Sequence, residues 1–426
     1  MGAAEKQVLL STTLGCVADF QNGGAWKEGE YVDSGVPVTR VTNCQSGTVD
    51  LRDCKYLSFS SAKKYERHRL IKGDLIVATV GSHPTQPGSV VGRTSAVPES
   101  ASGSLLNQNA VRLRAKAGLL DQRYLIYLAS SQEFRNYIIA HARGAASQVR
   151  MSIELLRDMP LLLPTLATQQ LVASFLGAYD DLIENNTRRI EILEEMVRRL
   201  YEEWFVQYRF PGHEGVELKE SELGLIPEGW EVVALEKAVE INPKTKVERD
   251  GEKIFVPMGA LSETGMVISG WEIKSGNSGA KFQNGDTLVA RISPCLENGK
   301  TGFVDFLPAS QPTACGSTEF IVLRSRSLCP EMVYCLSRSD RFREVAMKSM
   351  SGATGRQRVR VESLVGYPIA QPEGELVAKY HAFAQPCFKK IRGLANKNAN
   401  LRQQRDLLLP KLISGEIDVS DIPMPT

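Results

Sequence analysis

Two glycine-rich stretches of the chain carry long polar side chains that can form hydrogen bonds in pairs. One runs from Gly144 to Arg150 and the other from Gly352 to Arg358. Arginine can pair in this way with a guanine edge, and glutamine with an adenine edge. The candidate base-reading residues are Arg143, Gln148 and Arg150 in the first stretch and Arg356, Gln357, Arg358 and Arg360 in the second. The alternative is that Gln148 and Gln357 only brace the turn before the next strand.

A run of basic residues near position 65 is the next candidate. Tyr65 interrupts the run, and its cations are Lys63, Lys64, Arg67, Arg69 and Lys72. Such a run can contact the phosphate groups of a nucleic acid, and it is equally typical of a solvated helix. Further single candidates for contact with a polyanion are Arg93, Lys281, Arg291 and Lys300.

The sequence lacks the common catalytic motifs. Gly299-Lys300-Thr301 resembles the end of a phosphate-binding loop, but Pro294 occupies the position of a glycine that this loop requires. There is no Gly-x-Ser-x-Gly turn and no His-Glu-x-x-His helix. There is also no Asn-Pro-Pro or Asp-Pro-Pro before an aromatic residue, which an amino-methyltransferase acting on a flipped base would need. We therefore predict a protein that binds and positions a partner, although scattered acidic residues leave a nuclease site open.

Composition sets the class of protein. A chain of 426 residues with 42% hydrophobic side chains can build two or three domains. It has no apolar run long enough to cross a membrane and no signal-peptide pattern at Met1. The eight cysteines show no Cys-x-x-Cys pair and no metal-binding spacing with the five histidines. We therefore expect reduced thiols, no metal site and a cytoplasmic location.

Charge is distributed unevenly along the chain. Residues 1–165 carry 19 Lys and Arg against 14 Asp and Glu, whereas residues 166–225 carry 6 against 12. This favours a polyanion as the partner of the first region and a protein as the partner of the central one. Ordinary solvated surfaces would produce the same distribution.

The most regular element that could position these residues is a long helix from Thr168 to Phe205. Apolar residues recur there at spacings of three and four, which predicts an amphipathic helix of roughly 50 Å with Thr168 as its N-cap. The seam residues are Leu171, Phe175, Ala178, Leu182, Asn186, Ile190, Leu193, Val197, Leu200 and Trp204. Only Asn186 among them is polar.

A second helix with a similar seam begins near Leu376 and reaches Leu412. Asn398 is its counterpart of Asn186, and Pro386 is expected to kink the helix or split off a first segment. We predict that the two helices pack on each other antiparallel and that the two asparagines fix the register.

The regions before the two helices repeat each other. A Gly-Asp pair precedes a strand-like run at Gly73 and again at Gly285. Further on, Ile153, Glu154, Leu156, Pro160 and Pro164 correspond to Val361, Glu362, Leu364, Pro368 and Pro372 at a constant offset of 208 residues. Five matches at one offset are hard to obtain by chance. We therefore predict a duplicated unit, each copy a mixed domain followed by a long helix.

Several segments resemble the DNA-specificity subunits of type I restriction-modification enzymes. They are Ile226–Val232, Pro160–Gln169, Leu200–Phe205, Phe210–Gly212 and Leu408–Ile417. The likeness covers the whole chain and is strongest in the helices. The first domain lacks the Pro-Glu-Gly-Trp sequence that begins the second domain at Pro227. The start of the second helix also differs from that of the first.

The resemblance implies an α+β fold with two mixed target-recognition domains, separated by two long antiparallel helices that form a coiled coil with a pseudo-twofold repeat. The expected boundaries are 1–165 and 226–372 for the domains, 166–206 and 373–415 for the helices, 207–225 for a linker and 416–426 for a tail. Each domain would contact one half of a split site in double-stranded DNA, and the helices would act as a ruler between the half-sites.

The resemblance also implies partners. Two methyltransferase subunits would dock on the helices, and restriction and translocase subunits would complete the complex. S-adenosylmethionine, ATP and Mg²⁺ would be bound by those partner chains, and no cofactor by this one. A second apolar row on the first helix, together with the end of that helix, supplies the expected docking residues, which are Val172, Leu176, Tyr179, Ile183, Ile192, Met196, Trp204 and Phe205.

Two other functions stay open. One is a degenerate or fused DNA methyltransferase or nuclease, which would require catalytic acidic residues. The other is a coiled-coil scaffold without DNA contact.

Overall fold

The structure is a computed structural model that describes residues 9–83, 89–145, 148–353 and 355–419. The chain divides into two compact units. The first comprises Met1–Leu182 and Leu401–Thr426, and the second comprises Ile183–Asn400. The unit boundaries fall inside the two long helices, so each unit contains part of both.

The strands of the first unit are short, as expected for a sequence interrupted by Gly and Pro. They are β1 (Leu10–Thr13), β2 (Ala18–Asn22), β3 (Tyr31–Val32), β4 (Val36–Thr39), β5 (Cys44–Gln45), β6 (Gly47–Val49), β7 (Lys55–Leu57), β8 (Leu75–Ala78), β9 (Val80–Gly81), β10 (Thr94–Ala96), β11 (Leu105–Leu106), β12 (Ala110–Ala115), β13 (Arg143–Ala145), β14 (Gln148–Arg150) and β15 (Pro160–Leu163). Its helices are α1 (Leu14–Val17), α2 (Phe59–Ala62), α3 (Gln122–Ala129), α4 (Gln132–His141) and α5 (Ile153–Arg157), followed by the long α6 (Leu166–Tyr201).

The second unit has the same kinds of element. Its strands are β16 (Leu218–Ser221), β17 (Gly224–Pro227), β18 (Glu231–Ala234), β19 (Val239–Ile241), β20 (Glu252–Val256), β21 (Glu272–Ser275), β22 (Ala280–Gln283), β23 (Thr287–Ala290), β24 (Thr301–Phe303), β25 (Thr313–Gly316), β26 (Phe320–Ser325) and β27 (Pro368–Gln371). Its helices are α7 (Leu235–Ala238), α8 (Pro330–Arg338), α9 (Asp340–Lys348) and α10 (Glu362–Val365), followed by the long α11 (Gly374–Ile413). The segment predicted as a linker, 207–225, contributes to the β16–β17 hairpin.

The order of the strands repeats between the units. The central sheet contains β2-β12-β8-β10 in the first unit and β19-β26-β23-β24 in the second. The first sheet continues through β6 and β5. The strand that enters each domain pairs with the strand that leaves it, β1 with β15 and β18 with β27. The predicted α+β class and the duplication are therefore confirmed.

The aspartate of the repeated Gly-Asp sequence is buried and forms the same ion pair with an arginine in each unit. Asp74 accepts two hydrogen bonds from Arg114, at 2.5 and 2.8 Å, and Asp286 accepts two from Arg324, both at 2.7 Å. Each aspartate also accepts a backbone N–H three residues upstream, which closes the turn before the strand. The glycine before each aspartate has a left-handed φ, +83° at Gly73 and +92° at Gly285.

Within each unit, α6 and α11 pack antiparallel. In the first unit Arg405 of α11 donates to Asp180 of α6 at 2.5 Å. In the second, Asn186 pairs with Asn398 at 2.9 Å, and the Tyr380 hydroxyl donates to the Val197 carbonyl at 3.2 Å. The residue numbers rise along one helix as they fall along the other, so the predicted antiparallel pairing is confirmed.

Three details of the predicted helices are wrong. The N-cap position before α6 belongs to Thr165, whose hydroxyl accepts the backbone N–H of Thr168 at 3.3 Å. Pro386 does not divide α11, which is continuous from Gly374 to Ile413, and Ala384 and Phe388 on either side of it are buried in the core of the second unit. Leu182, predicted on the seam, is 54% exposed.

Gly177 allows a close approach between α6 and α3 in the first unit. A Cβ atom at this position would lie 2.3 Å from the guanidinium carbon of Arg123. Arg123 donates to the Gly177 carbonyl at 3.0 Å and to Asp181 at 2.6 Å. The glycine therefore lets one arginine join the domain helix α3 to the long helix. In the described part of the chain, no helix has the length and apolar character needed to cross a membrane.

Candidate nucleic-acid interface

The second glycine-rich stretch lies beside the end of the central strand β23. Arg358 forms β-bridges with Ser351 and with Ile292, which follows β23. The backbone N–H of Val359 donates to the carbonyl of Arg291 at 2.8 Å, and the N–H of Ser293 donates to the carbonyl of Gln357 at 3.0 Å. The stretch is therefore held by its backbone, which leaves its side chains available for other contacts.

The first glycine-rich stretch occupies the corresponding place in the first unit. Arg143 pairs with Arg150 across β13 and β14, and Arg150 pairs with Val80 of β9, just after β8. The N–H of Met151 donates to the carbonyl of Thr79 at 2.8 Å, the same length as the bond from Val359 to Arg291. Matched backbone hydrogen bonds thus hold a glycine-rich stretch in both copies, and we call this arrangement the backbone frame.

The side chains on this common frame differ between the copies. In the second unit the N–H of Arg291 donates to the carbonyl of Glu319 at 2.9 Å. In the first unit the N–H of Thr79 donates to the carbonyl of Asn109, also at 2.9 Å. A cation and an anion therefore replace two neutral side chains at matched backbone positions. The two copies therefore present different hydrogen-bonding groups at these positions.

Glu319 orients Arg358. The Nε and Nη2 groups of Arg358 donate to the carboxylate at 2.7–3.0 Å, and Arg291 approaches it to 3.3 Å. Hydrogen bonds from Arg358 lower the pKa of Glu319, so the carboxylate stays charged at neutral pH. The Arg358 side chain is still 47% exposed. The carboxylate therefore holds the guanidinium while leaving donors free to face solvent.

The remaining candidates of the second stretch have separate roles. Arg356 is exposed, and the described structure records no side-chain partner for it. Arg360 is exposed and donates to the Ser351 hydroxyl at 3.1 Å. Gln357 is half-buried, and its backbone carbonyl accepts a hydrogen bond from the N–H of Ser293. Arg356 is thus the least constrained cation of this stretch.

In the first stretch, the side chains of Arg143 and Gln148 lie outside the described part of the structure. Arg150 is exposed, and no partner for its guanidinium occurs among the described residues. It occupies the position of Arg358, and Asn109 stands at the backbone position that Glu319 has in the second unit.

The basic run forms a 3-10 helix over Lys63–His68. Lys63 and Lys64 are exposed and, within the described ranges, have no ion-pair partner. The other cations of the run already have partners. Arg67 donates to the ring of His68 at 2.9 Å, and Lys72 approaches Glu99 to 3.6 Å. Arg69 donates to Glu66 and to the Gly103 carbonyl, both at 2.6 Å. Lys63 and Lys64 are therefore the members best suited to contact phosphate.

Arg93 is half-buried and is bonded to two backbone carbonyls, and its contact with a polyanion stays a prediction. Its guanidinium donates to the carbonyl of Cys44 at 2.9 Å and to that of Ser89 at 3.2 Å, and so joins two loops. Lys281 and Lys300 are half-buried, and for neither does the described structure record a partner of the ammonium group.

The predicted docking surface on α6 is only partly available. Val172 and Leu176 are 1% and 0% exposed in the core of the first unit, and Phe205 is 8% exposed in the core of the second. These three side chains face the domain cores, so they cannot form part of a docking surface. Ile192 and Met196 are 50% and 46% exposed, whereas Tyr179, Ile183 and Trp204 are half-buried.

One group of side chains could hold a metal ion. Cys329, Glu331 and His381 have ligand atoms that all lie within 4.8 Å of one another. The spacing along the chain did not indicate this group, because His381 lies on α11 and the other two residues lie at the start of α8. Glu319 was missed for the same reason, since 39 residues separate it from Arg358.

Comparison with known proteins identifies related chains. Residues 11–195 match the family model of the type I restriction modification DNA specificity domain. The chain is similar to the type I restriction enzyme MjaIX specificity subunit of Methanocaldococcus jannaschii, with 24% identity over 415 residues that cover 92% of each chain. It is also similar to the EcoEI specificity subunit of Escherichia coli, with 34% identity over 156 residues, covering 34% of this chain and 26% of the relative.

A solved structure shares the fold. It is the S subunit of a type I restriction-modification system from M. genitalium, with a TM-score of 0.55 and 14% identity. The match covers 97% of this chain and 98% of the solved one.

Proposed function

We propose that the chain is a specificity subunit of the type I restriction-modification family and that it reads a split DNA site, with one α/β domain for each half-site. The observation that carries this proposal is the duplicated frame that holds the two glycine-rich stretches. The frame keeps its backbone bonds while its side chains change from Thr79 and Asn109 to Arg291 and Glu319. This is what two related readers of different sequences require.

The charges of the described residues fit two kinds of DNA contact. Lys63, Lys64 and Arg356 are exposed cations suited to phosphate, where contacts add affinity but carry no sequence information. Arg358 is held by Glu319 in one orientation, which suits the bidentate contact of arginine with guanine. We therefore assign phosphate contacts that position the DNA to Lys63, Lys64 and Arg356. We assign base reading in the second unit to Arg358.

The long helices suit the role of a spacer. With 36 residues, α6 is roughly 54 Å long, whereas half-sites on one face of B-DNA lie about 34 Å apart. Because both helices contribute to both units, their length would set the unread gap between the half-sites.

Catalysis is assigned to partner chains. We infer that methyltransferase subunits dock on the helices, with the exposed Ile192 and Met196 as part of the surface, and that restriction and translocase subunits join them. Those partner subunits would then bind S-adenosylmethionine, ATP and Mg²⁺, and this chain would be non-catalytic. Such a complex acts where genomic DNA lies, which in a prokaryote is the cytoplasm.

The deciding experiment is to map methylated bases in the host genome with and without this gene. We expect one bipartite motif to lose methylation when the gene is removed. An unchanged methylation pattern in a host whose methyltransferase subunits are expressed would contradict the proposal. Incubating the isolated chain with DNA, Mg²⁺ and S-adenosylmethionine tests the enzyme alternative, and we expect no cleavage or methylation. Gel shifts at several salt concentrations test the scaffold alternative, which requires no DNA binding at any of them.

A further inference from the structure

Three side chains with different ligand chemistry converge in the second unit. Cys329 is the N-cap residue of α8, Glu331 lies in its first turn, and His381 lies on α11. The His381 Nδ1 atom is 2.8 Å from Glu331 Oε2, and all three ligand atoms lie within 4.8 Å of one another. A metal ion would need only small adjustments of these side chains to bind all three.

The Cys329 and Glu331 members of the cluster are shielded from solvent. The Glu331 carboxylate is 3% exposed, and the Cys329 thiol next to it is 7% exposed. A carboxylate and a thiol buried beside an imidazole form a set of ligand groups that one metal ion can bind.

The first copy of the repeat supports this interpretation. The N-cap serines of α4 and α9, Ser131 and Ser339, have the same capping bond and are 208 residues apart. The same offset places Arg123 in the position of Glu331 (331 minus 123 is 208). Arg123 joins α3 to α6 through the Gly177 carbonyl and Asp181. The second copy has a carboxylate where the first copy has the joining cation.

We propose that Cys329 Sγ, Glu331 Oε2 and His381 Nδ1 bind a divalent transition-metal ion of the zinc class, which joins α8 to α11. A thiolate, a carboxylate and a neutral imidazole around a divalent ion have no net charge, which suits a buried site. Binding releases the thiol proton to solvent. The mixed sulfur, nitrogen and oxygen donors favour Zn²⁺ or Co²⁺ over Mg²⁺ and Ca²⁺. His381 is half-buried, so a water molecule can complete a four-coordinate site from its side.

The test uses the full chain, purified with a chelator and then titrated with Co²⁺. We expect one equivalent of Co²⁺ to bind and to produce a sulfur-to-cobalt charge-transfer band, which Zn²⁺ then removes by displacement. Cys329→Ser should lose the band, and Glu331→Gln and His381→Gln should lose stoichiometric binding. Cys295→Ser is the matched control, because this half-buried thiol lies outside the cluster, and it should bind Co²⁺ like the unchanged chain.

The unchanged chain decides the question even where a variant fails to fold. Its failure to bind one equivalent of Co²⁺ or Zn²⁺ would overturn the proposal. So would unchanged binding by folded Glu331→Gln and His381→Gln variants. Zn²⁺ should also raise the thermal midpoint of the unchanged chain, whereas Mg²⁺ should not, because only an ion that prefers the folded state stabilises it. DNA recognition is measured separately, so either proposal can fail without the other.

Discussion

Asn186 on α6 and Asn398 on α11 are hydrogen-bonded to each other inside the second unit. Asn186 Nδ2 donates to Asn398 Oδ1 at 2.9 Å, and Asn398 Nδ2 lies 3.2 Å from both the Ile183 carbonyl and the Thr187 hydroxyl. The two residues are 8% and 2% exposed. A shift of the helices by one turn would leave both amides buried without these partners, so the pair opposes such a shift.

Replacing one of the two asparagines should lower the stability of the folded chain more than replacing both. Asn186→Leu leaves the Asn398 amide with fewer partners and should lower the free energy of unfolding by about 1–3 kcal/mol. The double variant with Asn398→Leu should recover most of that loss, because no unsatisfied amide remains. Urea denaturation measures both effects, and Asn185→Leu, at an exposed neighbouring position, serves as the control. Equal losses from the single and double variants would contradict this account.

Stability should fall as pH rises toward neutrality because of Glu194. Burial raises the pKa of this carboxyl group to about 7, although the Met266 N–H bonds to it. Between about pH 4.5, where the unfolded group titrates, and pH 7, the folded state therefore holds a proton that the unfolded state has lost. The contribution of the group to stability is complete below this window and is lost as pH rises through it.

Glu194→Gln should remove that pH dependence while keeping an oxygen acceptor for Met266. We expect the variant to match the unchanged chain near pH 4.5 and to exceed its stability by roughly 2–3 kcal/mol at pH 8. Thermal midpoints across this pH range measure the effect. Glu191→Gln, at an exposed position on the same helix, should change little. A variant that is less stable at pH 8 would show that the Glu194 charge is favourable in the folded state.

The two arginines of the second glycine-rich stretch should affect DNA binding differently. Arg358→Ala should relax the choice of base at one position of one half-site, at a cost of about 1–3 kcal/mol, because it removes an oriented base contact. Glu319→Gln should weaken the same preference by releasing Arg358. Arg356→Ala should weaken binding to all sequences and reduce the salt dependence by about one unit of slope. Selection from randomised DNA at two salt concentrations separates these outcomes, and a uniform effect of all three changes would contradict the assignment.

The gap between the half-sites should follow the length of the helices. Four residues inserted after Asn186, with four inserted before Asn398, would preserve both helical faces and add about 6 Å. That length corresponds to one or two base pairs at about 3.4 Å each. We expect the methylated motif to gain this spacing while both half-sites stay the same. New half-sites with the old gap would show that the helices do not set the spacing.

Docking of the methyltransferase should depend on the exposed apolar residues of α6. Ile192→Asp and Met196→Asp place a charge on this surface and should abolish co-purification while the chain stays folded. Leu218→Asp is the control, because Leu218 is similarly exposed, at 52%, but lies on the β16–β17 hairpin. Complex formation by both helix variants at the level of the control would exclude this surface.

The sequence by itself determined the elements that depend on local pattern. The three-four spacing predicts α6 and α11 because a helix places such residues on one face. The offset of 208 predicts the repeat, and the Gly-Asp pairs at Gly73 and Gly285 mark the same turn because that φ favours glycine. Asn186 and Asn398 also stood out as the polar residues of their seams, whereas their direct hydrogen bond is a finding of the structure.

Only the tertiary structure decided which side chains are covered, paired or free. Val172 and Leu176 fit the helical pattern as well as Met196 does, but the domain core of the first unit covers them. Glu319 meets Arg358 across 39 residues, and Glu331 meets His381 across 50. Periodicity along a helix or strand records which face a side chain occupies, whereas burial and charge neutralisation depend on what the rest of the chain places against that face.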